Sequence, residues 1–421
     1  MILHLDLDSF FASAHRSLDT SLENIPIAVG GRSNLKIFDK KKVGIKLYDN
    51  NSGAFVNPVF YSEKKGDFKS FFVDKDDKIR GIITTASYEA RAYGVKTAMS
   101  VNEAIGLCPH LKVLPPNYLL YHDLSHKLHL YLKKEIPNVE QYSIDEFFGD
   151  VLGWIDEDEV LEFANYLKKN IYKEFKLPIS IGISSAKWIA KLSTEFAKPN
   201  GVHMVKKNEI PSFIKDIKVD KFPGIGKGYA DRLKKHFIHT LGEASQNKHL
   251  FYEWKKPGIQ LYNRIIGEDN EGIYKSNDRK SIGISRTFDP LKSRLEIKRR
   301  ISILARHIVY LVLKQKVNPT TYYIKISYDY GMRTKSRKTI DRVFNEKLCK
   351  DTFFMMFKEI DISKGFIIKI TMSVSNFSHH MYKILSLIDF DEDYKQQKIS
   401  SSIQKLREKY SLDIIKGGDE L

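Results

Sequence analysis

Two short acidic clusters, Asp6-Leu7-Asp8 and Asp145-Glu146, contain the residues whose types and spacing best suit metal chemistry. Three carboxylates held within ~4–6 Å of one another repel strongly unless cations lie between them. Magnesium prefers such hard oxygen ligands and keeps part of its coordination shell for water and phosphate. Two magnesium ions about 3.5–4 Å apart can activate a hydroxyl group and stabilise a departing phosphate. Each cluster alone is also typical of a polar strand end or an exposed acidic turn.

A second group of side chains could bind phosphate. Tyr88 and Arg91 are three residues apart, which places them on one face of a helical turn. Arginine offers a planar fork to phosphate oxygens, and tyrosine offers a single hydroxyl. A further cation, Lys198, lies in the segment 197–201, where proline and glycine predict a turn. Taken singly, each of these residues could equally be a solvated surface group.

Periodicity predicts the elements that position these groups. Residues 2–8 alternate between leucines and other residues, which predicts a strand. Because neighbouring residues of a flat strand point to opposite faces, Asp145 and Glu146 can converge only at a turn. Further strands are predicted at 26–30, 82–86, 139–142, 147–151 and 179–183, and helices at 10–18, 88–93, 156–175 and up to Phe196. The N-terminal half is therefore mixed α/β.

The C-terminal half has a different pattern of predicted helices and strands. Short helices broken by proline and glycine are predicted from about residue 206 to 276. The stretch 277–388 then shows strand, helix, strand, strand, helix, strand. One further helix is predicted near 403–410 in a polar tail. The segment 31–81 has many loop-forming residues and no sustained period.

Charge favours a polyanionic partner. The chain has 69 Lys and Arg against 52 Asp and Glu, a net charge of +17. Residues 277–380 alone carry 22 basic and 9 acidic side chains. Such an excess attracts nucleic acid through counterion release, although a generically basic surface is the alternative. No apolar run reaches the ~18 residues of a membrane span. The two cysteines, Cys108 and Cys349, and the acidic N-terminus predict a reduced, cytoplasmic protein.

Six segments, in order, resemble the Y-family of translesion DNA polymerases, most closely the bacterial DinB (DNA polymerase IV) type. They are DLDSFFAS at 6–13, TTASYEARAYGVKTAMS at 84–100, YSIDEFF at 142–148, GISSAKWIAKLSTEFAKPNG at 182–201, FPGIGKGYADRL at 222–233 and RKSIGISRTF at 279–288. The resemblance covers residues 1–30 and 82–410. Similar proteins connect these two parts with roughly a dozen residues, a length nearer the loop norm, so we interpret 31–81 as a tolerated surface insertion; a changed cover over the nascent base pair is the alternative. The resemblance implies a template-directed polymerase of low fidelity that extends a primer and bypasses damaged bases.

The resemblance assigns roles to the chemical groups. It implies that Asp6, Asp145, Glu146 and the Leu7 carbonyl bind two Mg²⁺ ions, with Glu146 as the catalytic glutamate. Tyr88, Arg91 and Lys198 match contacts to the triphosphate of an incoming dNTP. Phe11 matches the aromatic gate that excludes a 2′-hydroxyl. Asp8 is expected to make local hydrogen bonds and not to bind metal.

The resemblance also implies contacts with primer–template DNA and, less directly, with a sliding clamp. Gly224 and Gly226 match a helix–hairpin–helix that approaches phosphates through backbone N–H groups. Alternating basic residues beside a sheet also predict that Arg333, Lys335 and Arg337, in a hairpin that joins two strands, grip duplex backbone; a solvated hairpin is the alternative. Leu385 and Leu387 fit a clamp-binding peptide, but its leading glutamine is absent and its aromatic is displaced to Phe390. The end of a strand is the alternative there.

The expected fold class is α/β with an α+β palm. The expected architecture is that of a right-hand polymerase of four parts, which acts as a monomer. The palm is predicted at 1–10 and 117–205, the fingers at 11–116, the thumb at 206–276, and an α+β little finger at 277–388 before a tail, 389–421. A palm-fold nucleotidyl cyclase shares the two-metal chemistry but needs no helix–hairpin–helix or basic C-terminal domain. A catalytically inactive scaffold should have lost one of Asp6, Asp145 and Glu146, and all three are present.

Overall fold

The computed structural model describes residues 1–33, 35–39, 45–47, 59–61, 68–74, 76–273, 279–363, 365–378 and 389–421. These residues form two compact units. The first contains residues 1–31 and the described part of 66–277. The second contains the described parts of 32–48, 58–65 and 278–421. No helix in these ranges is long and apolar enough to cross a membrane.

The strands and helices of the described chain are numbered in chain order. The strands are β1 (Ile2–Leu7), β2 (Ile27–Gly31), β3 (Ile45–Leu47), β4 (Val59–Tyr61), β5 (Ile82–Ala86), β6 (Lys112–Leu114), β7 (Asn138–Gln141), β8 (Glu146–Asp150), β9 (Ile179–Ser184), β10 (Val202–Val205), β11 (Ser281–Leu291), β12 (Asn318–Tyr328), β13 (Arg333–Thr339) and β14 (Ile367–Ser378). The helices are α1 (Phe10–Arg16), α2 (Phe68–Phe72), α3 (Tyr88–Ala92), α4 (Val101–Leu107), α5 (Tyr118–Glu135), α6 (Val160–Phe175), α7 (Lys187–Ala197), α8 (Ile210–Ile214), α9 (Lys227–Lys235), α10 (Leu241–Gln246), α11 (Lys248–Glu253), α12 (Lys255–Ile265), α13 (Arg294–Lys314), α14 (Glu346–Ile360) and α15 (Phe390–Lys409).

A five-stranded sheet of order β10-β9-β1-β8-β7 is the centre of the first unit. Strand β1 runs antiparallel to both β8 and β9. Its alternation places Leu3, Leu5 and Leu7 in one core with side chains of α5 and α6. Helix α7 packs on β1 and β9 and supplies Thr194, which contacts His4 from the other face. The strand predicted from alternation is therefore confirmed, and both of its faces are covered.

Further hydrophobic cores complete the first unit. The sheet β5-β2-β6 buries Ile83 and Val113 against α3 and α4. Helices α8 to α12 enclose a separate core that contains Leu233, Phe251 and Ile265. The run of short helices predicted after residue 206 is thus confirmed.

The second unit is built on an antiparallel sheet of order β11-β14-β12-β13. One face buries Tyr322, Ile324 and Ile326 against α13 and α14. The predicted order strand, helix, strand, strand, helix, strand is confirmed. The basic stretch around Lys335 was predicted to be a connection between strands, and that was wrong. It is itself strand β13, paired to β12 from Arg333 to Thr339, because alternating threonine and serine suit a half-covered edge strand.

The interpretation of segment 31–81 as a surface insertion is wrong for both of its ends. Ile37 and Phe38, in a short 3₁₀ turn over Leu35–Phe38, are each only 5 % exposed and belong to the core of the second unit. Phe72 is fully buried in the core of the first unit. Glycine is required beside it, since a Cβ on Gly30 would lie 2.5 Å from the Phe72 ring.

The C-terminal residues are also more integrated than a polar tail would be. Helix α15 has 20 residues, where the sequence predicted only its last turns. Arg306 of α13, 1 % exposed, binds Asp413 at 2.8 Å and Glu420 at 2.7 Å. Arg407 binds Glu346 of α14 at 2.7 Å. These ion pairs fasten the end of the chain to the helices of the second unit.

Candidate active site

The two predicted acidic clusters meet at one end of the central sheet. Asp6 of β1 is paired in register with Glu146 of β8. Asp145 ends the turn between β7 and β8, and its carbonyl accepts a hydrogen bond from the Leu7 N–H at 3.0 Å. Ser143 stabilises this turn, because its hydroxyl contacts the Asp145 carboxylate and accepts from the Glu146 N–H at 3.1 Å. The turn predicted to bring Asp145 and Glu146 together is confirmed.

Burial dominates the electrostatics of Asp6 and Asp145, and the neighbouring carboxylates add a smaller effect in the same direction. Burial raises the pKa of Asp6 to about 7, and the charges of Glu146 and Asp145 act in the same direction. Burial also raises the pKa of Asp145, with Glu146 adding to the effect. Lys198 Nζ lies 2.9 Å from an Asp6 oxygen and opposes the rise. The carboxylates therefore lie close enough to disfavour one another's charge.

This donor set fits a hard divalent cation. Carboxylate oxygens beside a backbone carbonyl, that of Leu7, are the ligands that magnesium and similar ions prefer. Within the described ranges, no group of three or more Asp, Glu, His or Cys side chains is spaced to hold a metal ion. In the structure Lys198 contacts Asp6, and Lys191 contacts Glu146. Cationic nitrogens thus balance the negative charge of these carboxylates.

Asp8 was expected to make local hydrogen bonds, but its carboxylate accepts from three segments that are distant in the chain. Its oxygens accept from the Ser180 hydroxyl at 3.0 and 2.9 Å and from the backbone N–H of Asn200 at 2.7 Å. They also accept from the Tyr88 hydroxyl at 3.0 Å. Burial, and then the charge of Asp8, raise the pKa of Tyr88, so that this hydroxyl stays protonated. Asp8 therefore joins β1 to the turn after Lys198 and to helix α3.

The predicted phosphate-binding groups line one pocket with two of the acids. Its volume is about 230 Å³, and it is lined by Asp6, Leu7, Ser9, Phe10, Thr84, Thr85, Tyr88, Arg91, Thr97, Asp145 and Lys198. The guanidinium of Arg91 lies 4.8 Å from the centroid of the Tyr88 ring, and its Nε donates to the Ala86 carbonyl at 3.0 Å. The hydroxyls of Ser9, Thr84, Thr85 and Thr97 were not singled out from the sequence, although their segments were.

Phe11 follows the pocket-lining residue Phe10 on α1. Its ring is stacked on Tyr121 of α5, with centroids 4.1 Å apart and planes 6° apart. Tyr118 meets it edge-on at 6.2 Å. These two contacts fix the orientation of the Phe11 ring. Its role in sugar discrimination stays a prediction.

Lys191 and His4 are site residues that sequence reasoning missed. Lys191 contacts Glu146, and His4 Nε2 lies 3.8 Å from the same carboxylate. Burial, followed by the charges of Lys191 and Lys198, lowers the pKa of His4 well below its usual range. The available signal was position, since His4 falls on the same predicted strand face as Asp6.

The predicted DNA-contacting residues occupy two separate surfaces. In the first unit, Gly224 has φ +100°, which only glycine adopts readily, and Gly226 is the N-cap residue of α9. In the second unit, Arg333, Lys335 and Arg337 are exposed at alternate positions of β13. They share the face of the sheet that α13 and α14 leave open. The clamp-binding candidates Leu385 and Leu387 lie outside the described residues.

A further basic pair extends the open face of the sheet. Lys325 of β12 lies directly opposite Lys335 of β13. Like charges directly opposite on an antiparallel pair are destabilising unless an anion offsets them. This arrangement favours binding of a polyanion at the open face.

Comparisons with known proteins agree over the whole chain. Residues 5–195 match the profile of the impB/mucB/samB family, and residues 279–387 match that of the family's C-terminal domain. DNA polymerase IV 1 of Bacillus subtilis (strain 168) is 30 % identical over 433 aligned residues, covering 100 % of this chain and 93 % of that protein. DNA polymerase IV of Bacillus anthracis is 28 % identical with the same coverage.

Solved structures share the fold. A Y-family DNA polymerase chimera, Dbh-Dpo4(243-245)-Dbh, has a TM-score of 0.69 at 21 % identity, covering 89 % of this chain and 98 % of the chimera. An insertion ternary complex of Dbh DNA polymerase has a TM-score of 0.57 at 19 % identity, with the same coverage. The likeness extends through both compact units.

Proposed function

The chain belongs to the impB/mucB/samB family of DinB-type, Y-family polymerases, and we infer that it is a template-directed DNA polymerase that extends a primer and bypasses damaged template bases. The observation that carries this function is the full-length match to a DNA polymerase IV, 30 % identical over the whole chain. The pocket that combines Asp6 and Asp145 with Tyr88, Arg91 and Lys198 is what such a reaction requires.

We propose that the cofactor is a pair of Mg²⁺ ions. Asp6, Asp145, Glu146 and the Leu7 carbonyl would hold them. When bound, such ions activate the primer hydroxyl and stabilise charge on the departing pyrophosphate. The chain itself contributes the fixed orientation of these oxygens, through the β1–β8 register and the Ser143 turn.

We propose that Tyr88, Arg91 and Lys198 bind the triphosphate of the incoming dNTP. In the structure the Tyr88 hydroxyl donates its hydrogen bond to Asp8, and it would turn from Asp8 to donate to a phosphate oxygen, which can only accept. The planar Arg91 group suits phosphate oxygens. Lys198, held between Asp6 and Glu195, provides positive charge at the junction of the acids and the triphosphate. Phe11, fixed by Tyr121, would exclude a ribose 2′-hydroxyl.

DNA would be held by the backbone N–H groups at the hairpin of Gly224 and Gly226 and by the open face of the sheet in the second unit. The cations of Arg333, Lys335 and Arg337 alternate along β13 at the spacing of a strand, about 6.6–6.8 Å from one to the next. Such contacts position phosphates without reading sequence. We further propose that the protein is a monomer and that Leu385 and Leu387 contact a sliding clamp.

A primer-extension assay on undamaged and lesion-bearing templates tests the function. The purified chain with Mg²⁺ and four dNTPs should extend a recessed primer by copying the template, and it should insert a nucleotide opposite at least one lesion. Conversion of a lone nucleoside triphosphate to a cyclic product, with no primer extension, would instead support a nucleotidyl cyclase.

A further inference from the structure

His4 is a buried residue that contacts Lys191, and Lys191 in turn contacts Glu146. His4 is 1 % exposed, and on β1 it pairs with Phe148 of β8 and Gly182 of β9. One ring nitrogen, Nδ1, lies 2.8 Å from the Thr194 hydroxyl. The other, Nε2, lies 3.4 Å from Lys191 Nζ, and Lys191 contacts Glu146. A continuous chain of contacts therefore leads from helix α7 through His4 to Glu146.

The hydrogen-bond partners on both sides of His4 favour one tautomer. The Thr194 hydroxyl donates to the Ala190 carbonyl at 3.0 Å, so its oxygen accepts from His4 Nδ1–H. An ammonium group can only donate, so Lys191 requires a lone pair on Nε2. Both conditions give the same form, a neutral imidazole with its proton on Nδ1.

The close approach of α7 to the sheet makes these contacts possible. A Cβ at position 182 would lie 2.2 Å from the Ala190 carbonyl oxygen and 2.5 Å from Thr194 Oγ1. Glycine at that position lets Thr194 reach His4 across β9. Tyr142 adds a second contact to Lys191, whose Nζ lies 5.1 Å from the ring centroid. A flexible four-carbon side chain is thereby held in one place.

We propose that His4 is a positioning residue: anchored by Thr194, it orients Lys191, and Lys191 holds the carboxylate of Glu146 in place for catalysis. The inference rests on the proposed function, because it assigns Glu146 to the reaction. It extends that function to three residues of β1 and α7 that are not among those lining the pocket. Partners of metal-binding side chains typically contribute about 10–100-fold to metal affinity or activity.

Two substitutions at one position separate positioning from packing. His4→Phe keeps a ring against Phe148 but removes both nitrogens. His4→Gln places an amide oxygen near the former Nε2, where it can accept from Lys191. We expect His4→Phe to lower the rate of single-nucleotide incorporation about 10–100-fold and to weaken Mn²⁺ binding, followed by electron paramagnetic resonance without turnover, to a similar extent. The Kd for primer–template should stay within about twofold, and His4→Gln should recover most of both losses.

A double-mutant cycle tests the route through Lys191. On a Lys191→Met background, His4→Phe should cost less than about twofold further, since its effect passes through Lys191. Thr194→Val, which removes only the anchoring hydroxyl, should show a smaller loss of the same kind, and it provides the test if His4→Phe does not fold.

Other outcomes overturn the inference in distinct ways. Equal impairment of His4→Phe and His4→Gln, or wild-type rates in His4→Phe and Thr194→Val, would exclude positioning by His4. Losses that simply follow a fall in thermal stability would assign His4 to packing. Failure of the wild-type chain to extend a primer would instead contradict the proposed function. Primer extension by the wild-type chain, together with an inactive Asp145→Asn variant, would show that the proposed function holds and that only the role of His4 is in question.

Discussion

The ring of Phe38 meets the ring of Phe288 edge-on, with centroids 6.1 Å apart and planes at 87°. The guanidinium carbon of Arg300 lies 4.5 Å from both centroids. Arg299 donates to the Phe38 carbonyl at 2.9 Å, and the Ser33 hydroxyl accepts from the Thr287 N–H at 3.3 Å. A segment that precedes β11 by some 240 residues thus completes the core of the second unit. The chain enters this unit directly after β2.

Phe38→Ala should therefore destabilise the second unit. Truncation of a buried phenylalanine typically costs about 3–5 kcal/mol of unfolding free energy. Urea unfolding followed by circular dichroism would measure it, with exposed Asp39→Ala as the neighbouring control. Replacement of the segment Leu35–Phe38 with a glycine–serine linker should lower the free energy of unfolding by at least as much. An unchanged unfolding curve for Phe38→Ala would show that the segment contributes nothing to this core.

The residues around the acids could be predicted from the sequence because their constraints are local. Alternation defines β1, and Asp145 and Glu146 can share a site only at a turn. The Leu35–Phe38 segment could not be predicted, because a four-residue 3₁₀ turn has no period and its partners are distant in the chain. The ion pairs of Arg306 with Asp413 and Glu420 were likewise hidden, since charged residues in a tail usually indicate solvent exposure.

The contact of Lys191 with Glu146 could not be predicted from the sequence, for a different reason. The sequence shows Lys191 only as one of several bases in a helical segment. Which face of α7 meets the sheet depends on Gly182, whose lack of a side chain admits Thr194. Glycine in a strand marks a close approach, but not what approaches.

Removing a proposed metal-binding carboxylate should stop primer extension without releasing DNA. Asp6→Ala, Asp145→Ala and Glu146→Ala should each lower the extension rate at least about a thousandfold, because metal stabilisation is worth several kcal/mol and each 1.36 kcal/mol is tenfold. Primer–template affinity, measured by fluorescence anisotropy, should change less than about twofold. Asp156→Ala, an exposed acid outside the pocket, is the matched control. Substantial activity in Asp145→Ala would contradict the two-metal assignment.

Phe11→Val should relax sugar selectivity. The smaller side chain cannot occupy the space that the Phe11 ring takes up beside Tyr121, so a 2′-hydroxyl would be admitted. The ratio of ribonucleotide to deoxynucleotide incorporation should rise by orders of magnitude, with a modest loss of dNTP use. Phe11→Tyr keeps the ring and should keep the selectivity. Unchanged selectivity in Phe11→Val would assign the gate to another side chain.

Gly182→Ala should destabilise the first unit, since the new Cβ would lie 2.2 Å from the Ala190 carbonyl oxygen. Overpacking of this kind typically costs about 1–3 kcal/mol. The control is Gly228→Ala on α9, where a Cβ meets no heavy atom of the described chain within 4 Å. That change should be neutral or should stabilise the helix by about 1 kcal/mol. Thermal unfolding of the two variants, compared in one buffer, measures the difference; equal stability would mean that α7 can move away from β9 without cost.

The opposed lysines of the open sheet face offer the sharpest test of DNA binding by the second unit. If Lys325 and Lys335 each neutralise a phosphate, removal of both should reduce the slope of log K against log salt by about 1.8, at about 0.9 per phosphate. Affinity should fall uniformly across template sequences, because these contacts read no bases. The double variant should fold at least as stably as wild type, since directly opposed like charges cost about 0.2–1 kcal/mol. Lys298→Ala, exposed on α13, should leave the slope unchanged. A wild-type slope in the Lys325→Ala, Lys335→Ala variant would place the DNA on another surface.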